Sequence, residues 1–172
     1  YTIMPATNDV YLGNPNLKKA GTEIQFTKKQ VQEWIKCKED PLYFALNYIQ
    51  IISLDEGLVP FTMYGFQKEI MMDFHENRFN IAKLPRQTGK STTVVAYLLH
   101  YAIFNDSVNI GILANKASTA RELLGRLQLA YENLPKWMQH GILVWNKGNV
   151  ELENGSKILA ASTSASAVRG MS

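Results

Sequence analysis

Ten consecutive residues concentrate the chemistry of this 172-residue chain: Lys83-Leu84-Pro85-Arg86-Gln87-Thr88-Gly89-Lys90-Ser91-Thr92. Gly89-Lys90-Ser91 is the second half of G-x-x-x-x-G-K-[ST], a loop whose backbone wraps phosphate. Gly89 lets the backbone approach an anion closely, and Lys90 is placed to bridge the β- and γ-phosphates of a nucleotide as a point charge. The Ser91 hydroxyl is a hard oxygen ligand suited to Mg²⁺. Leu84 occupies the place of the first glycine, followed by Pro85, so the loop departs from the usual pattern. Arg86 sits inside the loop, where a guanidinium can face phosphate or a neighbouring subunit and stabilise charge developing in phosphoryl transfer. Upstream, Tyr64 and Gln67 form a Y-x-x-Q, with Gln67 placed 23 residues before Lys90. A glutamine amide donates to one adenine edge atom and accepts from N6, which separates adenine from guanine. The plainer alternative for Gln67 is a solvated position on a helix.

A phosphate loop works only between a strand that holds it and a helix that offers free N–H groups. Phe79–Leu84 is a short apolar run ending at Pro85, and a helical stretch follows from Lys90 to about Phe104. Asn105-Asp106 makes a turn, Val108–Ala114 reads as a buried strand, and Ser118–Leu134 reads as a helix ended by Pro135. That order predicts parallel βαβ units. Asn149–Ala160 alternates on both sides of Asn154-Gly155, which predicts a β-hairpin.

Before the loop, residues 1–26 read as an irregular arm rich in Asn, Gly and Pro. Thr27 and Gln30 have capping-box spacing, predicting a helix that carries Val31, Trp34 and Ile35 on one face. Asp40-Pro41 predicts an N-cap with proline in the first helical position, opening a short helix to about Tyr48. Ile49–Leu54 fits either more helix or a strand, Gly57 and Pro60 break the chain, and Tyr64–Asn77 reads as a third helix. The expected class is α/β: an incomplete parallel sheet of the P-loop type with a β-hairpin, behind a small, mostly helical segment. The expected divisions are 1–26, an arm; 27–77, helical with the adenine motif; and 78–172, the front half of a nucleotide-binding core.

Composition narrows the classes. Hydrophobic residues make up 46% and charged residues 19%, globular values that exclude wholesale disorder. No apolar run approaches the ~20 residues that span a bilayer. Cys37 is the single cysteine, which forbids an internal disulfide, and with three histidines it makes no zinc cluster of ordinary spacing. The net charge of +3 is unevenly spread, at +3 over residues 1–38, −6 over 39–77 and +6 over 78–172. An anionic ligand therefore favours the last segment. The opening at Tyr1, with neither initiator Met nor secretory pattern, leads to the expectation of a cytoplasmic protein and a piece of something longer.

The loop LPRQTGKST resembles the deviant Walker A loop of the large terminases of tailed phages, the ATP-driven motors that package DNA into capsids. The resemblance runs along nearly the whole chain and is closest to the myovirus type. It includes YLGNPNLKKAG, YFALNYIQIISLDEGLVPF, GILANK, WNKG, ELENGSKI and the closing SAVRGMS. It implies ATP and Mg²⁺ as ligands, with Tyr64, Gln67, Arg86, Gln87, Thr88, Gly89, Lys90, Ser91 and Thr92 around the nucleotide. Gln67 resembles the adenine-recognition glutamine, Arg86 the loop arginine that senses or completes the catalytic site, and Lys90 and Ser91 the phosphate and Mg²⁺ ligands. Arg169 resembles an arginine finger reaching into an adjacent subunit. The same resemblance implies double-stranded DNA, a portal protein and a small terminase subunit as partners. It implies, too, a homo-oligomeric ring docked on the procapsid in the host cytoplasm, away from any membrane.

The family's Walker B Asp and catalytic Glu are expected just after Ser172, so nucleotide binding without appreciable turnover is the expectation for these residues alone. Ile51-Ile52-Ser53-Leu54-Asp55-Glu56 imitates a Walker B strand but precedes the phosphate loop, and Asp55-Glu56-Gly57 is an ordinary acidic turn. Two other functions compete. A helicase-type translocase also pairs Y-x-x-Q with Gly-Lys-Ser, but usually keeps small residues where this chain has Leu-Pro-Arg-Gln. A non-catalytic module would use the helical first 77 residues to dock a protein and leave the loop unused.

Overall fold

The structure, a computed structural model, describes residues 10–22, 24–53, 57–60, 65–77 and 90–163. In chain order these form β1 (Val10–Tyr11), β2 (Asn14–Lys18), α1 (Lys28–Glu39), α2 (Pro41–Tyr48), β3 (Gln50–Ser53) and β4 (Gly57–Pro60). There follow α3 (Gly65–Glu76), α4 (Lys90–Phe104), β5 (Asn109–Ala114), α5 (Ala117–Glu132), β6 (Ile142–Trp145), β7 (Asn149–Leu152) and β8 (Lys157–Ser162). A 3-10 turn, Lys136–Met138, follows α5.

Local signals start the first two helices. Thr27 Oγ1 accepts from the Gln30 N–H at 3.2 Å, and Gln30 Oε1 accepts from the Thr27 N–H at 3.0 Å, closing the capping box of α1. The Asp40 carboxylate accepts from the N–H groups of Leu42 (2.9 Å) and Tyr43 (3.3 Å), with Pro41 opening α2. Within Ile49–Leu54, Gln50–Ser53 are strand: β3 pairs antiparallel with β4, Gln50 opposite Pro60. Gly57 and Pro60 therefore bound a strand instead of simply breaking the chain.

The arm is more ordered than its composition suggests. β1 and β2 pair antiparallel across Leu12 (φ 44°) and Gly13 (φ 78°), a turn with both central residues left-handed. Leu17 is fully buried, and Gln139 pins the backbone on either side of it: its Oε1 accepts from the Lys18 N–H and its Nε2 donates to Asn16 O. A Cβ at Gly141 would come within 2.5 Å of Ala20 Cα, so glycine is what lets this segment lie against the sheet. Turn-forming residues here make a hairpin because a tertiary partner receives them.

Four strands form the larger sheet in the order β5-β8-β7-β6. β5 and β8 run parallel, joined by a crossover that contains α5, while β8, β7 and β6 are successive antiparallel neighbours. The sheet is thus mixed, where a parallel one was expected. The hairpin signal at Asn154-Gly155 is fulfilled, and it is this reversal that turns β7 against its neighbour. Gly155 (φ +87°) supplies the left-handed residue, and a Cβ there would stand 2.7 Å from Ser107 Oγ. α4 and α5 pack against each other and α5 covers β5 and β8, giving one continuous core from Leu17 and Phe44 through Leu99 and Leu124 to Ile158.

The carboxyl end of α4 is satisfied by side chains from the sheet. Asn154 Nδ2 donates to Ala102 O (2.9 Å) and Asn105 O (3.2 Å), Ser156 Oγ donates to Asn105 O (3.0 Å), and His140 Nε2 donates to Ile103 O (2.7 Å). These carbonyls have no partner inside the helix. Asn154→Asp should therefore cost more than Asn154→Ala, because it aims a carboxylate at the negative end of α4 as well as losing the donors. We expect about 1–2 kcal/mol for the alanine variant and a larger loss for aspartate, read from urea unfolding midpoints.

Candidate functional site

Lys90 is the first residue of α4, and Ser91 and Thr92 continue its first turn. The N–H groups of a first helical turn lack intrahelical acceptors and carry the positive end of the helix dipole, which suits them to an anion. What aims this turn is the burial of the rest of the helix. Val95, Ala96, Leu99, Ala102 and Ile103 are all in the core, and Thr93 is fully buried.

Thr92, half-buried, borders a cavity of roughly 350 Å³ between the first turns of α4, the start of β3 and the second half of α5. Ile49, Val95, Leu129 and Ala130 give it apolar walls, and Gln50 and Arg126 add donors. Arg126 and Gln50 were not anticipated. The only signal in the sequence is Glu122 four residues before Arg126, and that reads as a surface pair, which it also is: the 3.0 Å ion pair has both side chains more than half exposed and adds little stability.

Gln67 lies on α3, which packs on α4, and is only 3% exposed. The solvated alternative is thereby excluded. The side chains of Lys90 and Ser91 lie outside the described residues, as do Tyr64, Arg86, Gln87, Thr88, Gly89 and Arg169 entirely. Ile51–Ser53, the strand resembling a Walker B segment, belongs to the two-stranded β3–β4 pair and not to the four-stranded sheet. No helix among the described residues is long and apolar enough to cross a membrane.

A family model described as the terminase large subunit, T4likevirus-type, N-terminal, matches residues 81–172, more than half of the chain. The chain belongs to this terminase family. It is a viral DNA-packaging terminase sequence, and the matched stretch contains the Gly-Lys-Ser motif, all of α4 and α5, and the whole four-stranded sheet. Residues 10–77 precede the match, yet their helices α2 and α3 pack directly on α4 of the terminase.

A contact of α4 with α1 also titrates. His100 of α4 is buried, and its Nε2 donates to Cys37 O at 2.8 Å, which leaves Nδ1 as the unprotonated nitrogen, buried without a hydrogen-bond partner. Burial holds the imidazole at a pKa of about 4, since protonating Nδ1 would bring an uncompensated charge into the core. The folded pKa lies below the unfolded one, so the unfolded chain binds the extra proton. Stability is then complete above about pH 6.5 and is lost as pH falls toward 4. Urea unfolding at pH 7 and pH 5 should show this loss, about 2 kcal/mol, and His100→Leu should flatten that part of the profile whatever its own stability.

Proposed function

We propose that the first turn of α4 grips the phosphates of ATP and that the chain is the ATP-binding portion of a motor that hydrolyses ATP to drive double-stranded DNA into a procapsid. The observation that carries the reading is the coincidence of two independent facts. Lys90 and Ser91 of the Gly-Lys-Ser motif open a helix anchored along its length in the core, and the motif lies inside the stretch matched by the terminase family. In this reading Lys90 and the first-turn N–H groups hold the β- and γ-phosphates. Gln67 reads adenine, with Tyr64, Gln87, Thr88, Gly89 and Thr92 completing the surround. Arg86 stabilises the transferring phosphoryl group, and Arg169 serves the site of a neighbouring subunit in a ring.

The donor set fits a hard cation: the Ser91 hydroxyl would hold Mg²⁺, which supplies charge neutralisation at the phosphate oxygens. Double-stranded DNA, a portal protein and a small terminase subunit are the partners that follow from this function, in the host cytoplasm and on the procapsid. Calorimetric titration with ATP and Mg²⁺ tests the core of the reading. We expect saturable binding, preference for ATP over GTP, and a loss of about tenfold or more in affinity for Lys90→Ala with an unchanged thermal midpoint. No binding at millimolar nucleotide would refute it and favour a non-catalytic docking module.

A further inference from the structure

At the opposite end of α4 from Lys90 and Ser91 lies a second cavity, of roughly 450 Å³, that the nucleotide reading leaves unused. Its walls are Phe26, Val31, Trp34 and Trp137, and Lys18 and His140 bring nitrogen to it. The walls are not loose side chains. Trp34 packs on Phe104 at the end of α4 (ring centres 4.8 Å) and edge-on to His140 (5.7 Å), and Phe26 stands edge-on to Trp137 (6.5 Å). Gln139 fixes the floor, its amide donating to Asn16 O, Tyr131 O and Leu134 O.

Two features of this cleft are costly in a surface with nothing to meet. Its rim is apolar and open to water: Phe26 is 47% exposed, Val31 45%, and Ile35, one turn further along α1, 50%. Moreover, the Lys18 ammonium is partly desolvated, and no carboxylate among the described residues forms an ion pair with it. Glu153, whose field reaches Lys18, spends an oxygen on the Gly21 N–H at 3.0 Å. Lys19, just after β2, and Lys28 and Lys29, in the first turn of α1, are exposed cations, while Glu33 is held by the hydroxyls of Tyr43 and Tyr48. An apolar slot with an ammonium at its base that no described carboxylate pairs complements one chemistry, an apolar side chain next to a carboxylate.

We propose that this cleft docks an acidic, amphipathic peptide segment of a partner protein, with an aromatic or leucine side chain seated between Phe26, Trp34 and Trp137 and an Asp or Glu paired with Lys18. Nucleic acid is the poorer match. The lining of the cleft is mostly apolar and includes one ammonium, that of Lys18, whereas a phosphate track requires a run of cations within the groove itself. The pairing of apolar anchor and charge is the ordinary logic of peptide grooves.

Selection of random peptides on the intact chain tests this without knowledge of the partner. The selected peptides should share one large apolar residue flanked by Asp or Glu, and their binding should shift the tryptophan emission. Lys18→Met keeps the aliphatic stem and removes the charge, and should weaken them about tenfold, with Lys18→Glu weaker still. Trp137→Ala should abolish binding while circular dichroism remains that of the parent. Peptides without acidic enrichment, equal affinity for the Lys18→Met chain, or displacement of the peptides by single-stranded DNA would each overturn the assignment.

Discussion

Helix ends are the constraint on which this molecule depends. A helix leaves its last carbonyls without partners, and burying them unpaired costs about 1–3 kcal/mol each. Here the debt is met in sequence across three layers. His100 of α4 donates to Cys37 O in the last turn of α1, and His140, Asn154 and Ser156 donate to the carbonyls at and just beyond the end of α4. Each layer therefore completes the one before it. α4 is held at its carboxyl end by the sheet and along its middle by the core, so the orientation of its first turn is fixed by contacts far from that turn.

The same logic explains why two histidines sit inside. Each donates from Nε2 to a carbonyl, so the neutral form of each carries its proton on Nε2 and leaves Nδ1 unprotonated. Burial depresses the pKa of both. Around them the packing is aromatic: Phe44, Tyr97 and Phe104 contact His100, and Trp34 contacts His140. Flat rings with one polar edge fill the seam between α1, α2 and α4 while still delivering a donor where a helix ends. Cys37, at that seam, is pushed up to about 12 by burial and so stays a thiol. It is a packing residue.

What the sequence made legible was local. The Thr27/Gln30 box, the Asp40-Pro41 start and the Asn154-Gly155 reversal each depend on a few adjacent residues, and each appears where its chemistry puts it. Features set by distant partners were hidden. The arm reads as irregular because nothing in Asn14-Pro15-Asn16 announces that Gln139, more than a hundred residues on, will bond the backbone beside it. A strand–helix–strand order predicts parallel pairing, but the hairpin inserts β6 and β7 on the far side of β8, and the sheet becomes mixed. At the site, Gln67 was singled out by a motif that carries no burial information, and Arg126 by nothing, since its Glu122 partner makes it look like an ordinary solvated pair.

On the reading proposed above, a nucleotide would sit at one end of α4, and the other end of that helix contacts Trp34 and receives His140. A 15-residue helix is about 22 Å long. Fraying at its last turn would absorb a displacement applied at the first. Saturated carbonyls remove that freedom, because breaking any one of them leaves a buried acceptor unpaired. A small shift at the phosphates would then be passed along α4 to α1 and the sheet as movement of a rigid body. A protein that converts phosphate chemistry into motion requires such a rod, and side chains from two separate segments of this chain, at His140 and at Asn154–Ser156, supply its fastening.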